Sequence, residues 1–189
     1  MDRNEVHVAL EILVEELEIV ANGLDENGTE AFKTGEYDKA TEASEMAARL
    51  SDFRDKVKTL QQDWSNLFVH RIVRRSTRRK RGRVAARLQQ GLRTPEHAYR
   101  RPILDALVEL GGRVALDDVL DRVGDKMKDT LNEYDHQPLR SNDREKRWRN
   151  TVKWCRNDLV REGLMESGSS QGIWEISDRG REALRLGQV

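Results

Sequence analysis

The fold of the second half of the chain is decided by residues 142–180, which read NDREKRWRNTVKWCRNDLVREGLMESGSSQGIWEISDRG. Asn142 is a suitable N-cap, and Glu145 stands three residues later in the capping-box position. Gly163 follows the last apolar residue and is expected to end the helix. Between these ends, the apolar residues recur at the spacing of a single buried helical stripe. They are Trp148, Val152, Cys155 and Leu159.

The opposite face of this predicted helix carries long cations and amides, with no carboxylate on the face itself. Such side chains contact phosphates and base edges in the major groove of DNA. Asn150 and Lys153 are expected to meet base edges or nearby phosphates. The predicted DNA-binding residues of the helix are Lys146, Arg149, Asn150, Lys153, Asn157 and Arg161.

The residues after Gly163 predict a β-hairpin. Short strands at residues 164–166 and 173–176 flank a Gly/Ser-rich tip, as in the wing of a winged helix. The tip, residues 169–171, has two interpretations: it approaches the DNA backbone or minor groove, or it is a simple exposed turn. We assign Trp174 to the core.

Three further helices are predicted before the hairpin and one after it. Pro102, at a first helical position, begins a helix that stops at Gly111 and Gly112. A second helix spans residues 116–123, a third short piece spans residues 126–134, and a final helix spans residues 178–186. This order, within about 90 residues, is typical of a winged helix-turn-helix.

Residues 101–186 resemble the N-terminal domain of Mrr-type restriction proteins. The resemblance rests on residues 150–154 (NTVKW), on Leu159 with Gly163-Leu164, and on residues 172–180 (GIWEISDRG). In that family the domain is a winged helix, is thought to bind DNA, and usually precedes a nuclease domain. The resemblance implies the same fold and a DNA-related role here.

A net charge of zero conceals a strong asymmetry along the chain. Residues 1–68 hold 16 acids and 7 bases, a net of −9, whereas residues 71–101 hold 12 bases and the single acid Glu96, a net of +11. The basic block is either a solvated linker or an arm that binds phosphates, and a DNA-binding unit beside it favours the arm. Its predicted DNA-binding residues are Arg74, Arg75, Arg78, Arg79, Lys80, Arg81 and Arg83.

The first 69 residues predict two long helices with heptad seams. The first seam is Val6, Leu10, Leu13, Leu17, Val20 and Leu24, with breaks expected at Asn22-Gly23 and Asn27-Gly28; the second runs from Ala43 to Leu67. Two helices cannot bury both seams, so a homodimeric four-helix bundle is expected. Gly35, Tyr37 and Ala40 are similar to half of a tetratricopeptide repeat, but without a second copy we interpret them as a helix–turn–helix contact.

Catalytic chemistry is not expected. Four scattered histidines and one cysteine give no zinc spacing, and no phosphate-binding glycine loop is present. Asp117, Asp118 and Asp121 lie on a predicted helix, where a solvated face is the favoured interpretation. No catalytic residue, metal ligand or cofactor is therefore predicted, and the lack of a signal peptide or an apolar run of about 20 residues predicts a cytoplasmic protein without membrane contact.

The sequence thus predicts a mainly α protein in three parts: an acidic helical hairpin or coiled-coil dimerisation domain (1–69), a basic arm (70–100), and a winged helix-turn-helix with a two-stranded wing (101–189). The expected function is non-enzymatic DNA binding as a homodimer, either as a transcription regulator or as the DNA-recognition component of a restriction or defence system. The expected partners are double-stranded DNA, a second copy through residues 1–69, and a nuclease or other defence-system protein. The alternative is a protein-interaction adaptor whose winged helix and coiled coil dock partner proteins.

Overall fold

The computed structural model describes residues 3–67, 93–139 and 142–189, with side chains from Val6 onward. The chain divides into two compact units, Met1–Arg87 and Leu88–Val189. The described residues are mainly helical with one two-stranded antiparallel sheet, which confirms the predicted fold class. Within these ranges no helix is both long and apolar enough to cross a membrane.

The first unit contains an antiparallel hairpin of α1 (Arg3–Lys33) and α2 (Tyr37–Asn66). The breaks expected at Asn22-Gly23 and Asn27-Gly28 are wrong, because α1 continues through both. Gly28 lies where the two helices approach closely: a Cβ at this position would stand 3.3 Å from the Cβ of Ala43. The glycine therefore permits helix contact instead of ending the helix.

The contact between α1 and α2 uses little of the two predicted seams: among their residues only Val57 is buried. The buried positions of the hairpin are Val14, Glu15, Glu18 and Ala21 of α1, together with Ala47, Arg54 and Val57 of α2. Polar contacts cross the hairpin: Arg54 Nε donates to Glu18 Oε1 at 2.8 Å, and Gln61 Nε2 donates to Glu11 Oε2 at 2.6 Å. Leu13 and Val20 each precede a buried residue of α1 by one position, which is about 100° around the helix. They therefore remain 41% and 52% exposed.

The described residues of the second unit form four helices, a 3-10 turn and two strands. In chain order these are the turn Glu96–Tyr99, α3 (Arg100–Glu109), β1 (Arg113–Ala115), α4 (Leu116–Met127), α5 (Arg147–Arg161), β2 (Ile173–Glu175) and α6 (Asp178–Leu186). The predicted stripe of α5 is buried in one apolar core with α3 and α4, and Trp174 of β2 joins it. Both predictions are confirmed.

The sheet pairs strands that are distant in the sequence. β2 is antiparallel to β1, with Val114 opposite Trp174. Across the Gly/Ser-rich tip, Met165 and Ile176 form only an isolated bridge, although the Glu166 amide also donates to the Glu175 carbonyl at 2.9 Å. Only the base of the expected hairpin forms, because β2 pairs mainly with β1, the strand that follows α3.

A buried carboxylate fixes the start of the second unit. Asp135 is fully buried and accepts hydrogen bonds from the Thr94 amide at 2.7 Å, the Thr94 hydroxyl at 2.6 Å and the Asn132 amide at 2.9 Å. The predicted third helix over residues 126–134 is wrong, because α4 ends at Met127 and a turn follows. Residues 93–99, which the sequence placed in the linker, pack as part of this unit.

Candidate nucleic-acid interface

The loop that precedes α5 accepts hydrogen bonds from the amides of its first turn. The helix begins at Arg147 with an extended Lys146 before it, so the capping box at Asn142 and Glu145 is wrong. The amides of Arg147 and Trp148 donate to the carbonyls of Gln137 and Asp135 at 3.0 and 3.1 Å. Because these amides are already paired, they are not available as a phosphate site.

The predicted outer face of α5 is narrower than the sequence suggests. Asn150 is 1% exposed, so its placement on this face, towards base edges, is wrong. Thr151 and Trp154 are buried beside the predicted stripe. The physical reason is that α5 packs against the 3-10 turn Glu96–Tyr99 as well as against α3, which covers a second side of the helix.

Five of the six predicted side chains remain accessible. Lys146 and Asn157 are exposed. The side chains of Arg149, Lys153 and Arg161 are 35%, 40% and 44% exposed, respectively. They form a band of four cations and one amide along α5.

Carboxylates from the same chain neutralise much of this band. Arg149 lies 2.9 Å from Asp121 of α4, and Lys153 lies 2.6 Å from Glu145. Arg161 lies 2.9 Å from Asp158 within α5. The helical wheel predicts no carboxylate on this face, but in the folded structure carboxylates lie beside its cations. Asp121 and Glu145 are the site residues that sequence reasoning missed.

The C-terminal end of α5 is also held by charge. Arg100 of α3 donates two hydrogen bonds to the Glu162 carboxylate, at 2.7 and 2.5 Å, and these bonds hold the pKa of Glu162 below its usual range. This contact fixes the end of the α5 surface against α3.

A tight corner ties β2 and α6 to the end of α5. The Ser177 hydroxyl donates to the Gly163 carbonyl at 2.7 Å and accepts from the Gly180 amide at 3.0 Å, which caps α6. A Cβ at Gly180 would lie 2.1 Å from the Leu164 carbonyl oxygen, so only glycine fits. The run Ser177-Asp178-Arg179-Gly180 is thus a packing motif, and it lies within the stretch that carries the resemblance to Mrr-type proteins.

The tip after Met165 is held against the sheet. The Leu116 amide donates to the Gly172 carbonyl at 2.8 Å, and Arg113 lies 3.3 Å from Glu175. Ser170 and Gln171 are exposed, and Ser169 is half-buried. The tip therefore presents small polar side chains on an anchored base, and whether it contacts DNA remains a prediction.

The remaining predicted DNA-binding residues belong to the basic arm. Its predicted residues, Arg74, Arg75, Arg78, Arg79, Lys80, Arg81 and Arg83, lie outside the described residues. Among the residues that the structure does describe, no group of three or more His, Cys, Asp or Glu side chains could hold a metal ion.

Residues 97–186 match the family model of the Mrr N-terminal domain. The match covers the 3-10 turn from His97 onward and the four helices and two strands described in the second unit, and it agrees with the resemblance found in the sequence. This part of the chain is similar to the Mrr N-terminal domain. No curated protein and no solved structure matches the chain.

Proposed function

We propose that this chain is a non-enzymatic DNA-binding protein that acts as a homodimer. It would serve either as the DNA-recognition component of a restriction or defence system or as a transcription regulator. The observation that carries the proposal is the match of residues 97–186 to the Mrr N-terminal domain, because the same residues resemble the corresponding domain of Mrr-type restriction proteins. In the restriction role, a nuclease or other defence-system protein would supply the cleavage.

The accessible band of α5 is the surface that we assign to DNA. Lys146, Arg149, Lys153 and Arg161 line one helix, and phosphates are the ligands that such a row of cations attracts. Of the carboxylates that pair with this band, Asp121 is 73% exposed, whereas Glu145 and Asp158 are 19% and 20% exposed. An exposed pair such as Arg149–Asp121 contributes only about 0–1 kcal/mol, so a phosphate can replace Asp121 at small cost.

The charge of residues 71–101 supports the same proposal. A net of +11 in 31 residues, ending in the second unit, supplies the sequence-independent part of DNA affinity. The side-chain amide of Asn157 and the polar side chains of the tip would then add weaker contacts. We expect base contacts to come from Lys146, Arg149 and Lys153, since Asn150 is buried.

The test compares two double variants of the full chain by fluorescence anisotropy on a random duplex. Lys146→Gln with Lys153→Gln removes two cations from α5, and Lys33→Gln with Lys39→Gln removes two exposed lysines from the turn of the first hairpin. We expect the α5 variant to bind about tenfold more weakly and its salt slope to fall by about 2, because each lost phosphate contact removes about 0.9. Equal affinities for the two variants, with both folded, would remove α5 from the interface.

One observation favours the adaptor alternative. The carboxylates of Asp121 and Glu145 already partner cations of α5, so the band is less attractive to DNA than its own side chains suggest. An adaptor would show no salt-dependent binding to duplex DNA. In that case the exposed apolar side chains of α1 and α2 would become the principal binding surface.

A further inference from the structure

Each helix of the α1–α2 hairpin carries a row of apolar side chains that remains exposed instead of packing within the hairpin. On α2 the exposed row repeats every seven residues: Met46, Phe53, Leu60 and Leu67 are 44%, 49%, 56% and 69% exposed. On α1, Leu13 and Val20 repeat at the same interval and are 41% and 52% exposed. Side chains seven residues apart fall on one side of a helix, so each row is continuous.

Both rows lie on the same side of the hairpin. On α1, Val14, Glu18 and Ala21 face α2, and at about 100° per residue the Leu13–Val20 row lies about 100° to one side of them. On α2, the Met46–Leu67 row lies at a similar angle, in the same rotational sense, from Ala47 and Arg54. The helices are antiparallel, so an equal rotation in the same sense places both rows on one surface.

The polar seam explains why this surface faces outward. Glu18 and Arg54 are both fully buried, and two atoms of the guanidinium lie 2.8 Å from the same carboxylate oxygen. Turning either helix to bury the leucine row inside the hairpin would separate these charges without hydration, which is costly. The ion pair therefore sets the rotation of the helices and leaves the apolar surface uncovered.

We infer that this surface is the seam by which two copies of the chain meet, with the hairpins packed face to face as a four-helix bundle. The inference specifies the partner surface of the homodimer in the proposed function and rests on that part of it. The six exposed side chains alone hold roughly 500–600 Å2 of apolar area, taking about 150–200 Å2 for a large side chain. The half-buried Leu17, Leu24, Leu50 and Trp64 on the same side bring the surface towards the roughly 800 Å2 per partner of a standard interface.

A second copy suits this surface better than an unrelated partner. The row has heptad spacing on both helices and needs an occupant with the same spacing over the same length. Another copy offers that pattern by symmetry, and a twofold axis in the plane of contact buries both surfaces at once.

The experiment measures the mass of the full chain by sedimentation velocity at micromolar concentration. We compare the wild type, Leu60→Lys in the row, and Thr59→Lys, which adds the same charge at the neighbouring exposed position that points away from the row. We expect the wild type and Thr59→Lys to sediment at twice the 21.9 kDa chain mass and Leu60→Lys to sediment as a folded monomer. A second row variant, Phe53→Lys, is measured with it, so that a folding defect at one position does not decide the result.

Anisotropy on duplex DNA, recorded on the same samples, separates this inference from the proposed function. Dimeric row variants would overturn the inference alone, because the copies would then meet elsewhere. A monomeric wild type would overturn it too. A dimer that dissociates with Leu60→Lys but does not bind DNA would support the seam and contradict the proposed function.

Discussion

Asp121 of α4 holds Arg149 of α5 by an ion pair of 2.9 Å, on the surface that we assign to DNA. The Asp121 side chain is 73% exposed, so the pair contributes little to stability, yet the carboxylate would repel an approaching phosphate. We therefore expect Asp121 to lower the DNA affinity of the surface to which Arg149 belongs.

Asp121→Asn is expected to raise DNA affinity. The change frees Arg149 for a phosphate and removes one repelling charge, which together correspond to a gain of about three- to tenfold at low salt. Fluorescence anisotropy with a random duplex measures it. Asp129→Asn, an equal charge change in the exposed turn after α4, is the matched control. A gain of the same size in both variants would mean that only net charge matters.

Arg54→Met is expected to destabilise the α1–α2 hairpin by about 3–5 kcal/mol, because it leaves the carboxylate of Glu18 buried without its cation. Glu18→Leu combined with Arg54→Met should restore most of the lost stability, since a buried pair can be replaced by apolar side chains. Urea unfolding followed by helical circular dichroism gives the free energies. A double variant as unstable as the single one would show that the ion pair is not the source of the effect.

Asp135→Ala is expected to destabilise the second unit by about 1–3 kcal/mol, because the buried amide and hydroxyl of Thr94 lose their acceptor. Unfolding is followed by the fluorescence of Trp148, Trp154 and Trp174, which belong to that unit. Thr94→Val, which removes only the hydroxyl contact, should cost less than Asp135→Ala. The reverse order would contradict the role of Asp135 as the acceptor for both groups.

Replacing residues 169–171 by a shorter Asn-Gly turn is expected to lower DNA affinity two- to threefold without changing stability. The hydrogen bond between the Leu116 amide and the Gly172 carbonyl anchors the base of the tip, so the change removes polar groups beyond it and leaves the sheet intact. Affinity and footprint are measured together. If both are unchanged, the tip is a simple exposed turn.

The parts of the fold that the sequence predicts are those that depend on neighbouring residues. The buried stripe of Trp148, Val152, Cys155 and Leu159 follows from helical periodicity, and the bounds of α6 are as predicted. These features need no knowledge of distant contacts.

The parts that the sequence misses depend on contacts between distant segments. Asn150 is buried because α5 packs against a 3-10 turn about 50 residues earlier, and no helical wheel contains that neighbour. Likewise, β2 spans three residues, so its choice of β1 over the nearer Met165 depends on tertiary packing. The charge of the α5 band is misjudged for the same reason, since Asp121 comes from another helix.

The central claim is that the chain binds duplex DNA chiefly through cations that contact phosphates. The most direct measurement is the dissociation constant of the full wild-type chain for a random duplex, determined from about 50 to 200 mM salt. We predict a linear loss of log affinity with log salt, at a slope steeper than about −4, because four cations of α5 and the basic segment would each release counterions. Binding that is absent at 50 mM salt, or that does not change with salt, would contradict the account.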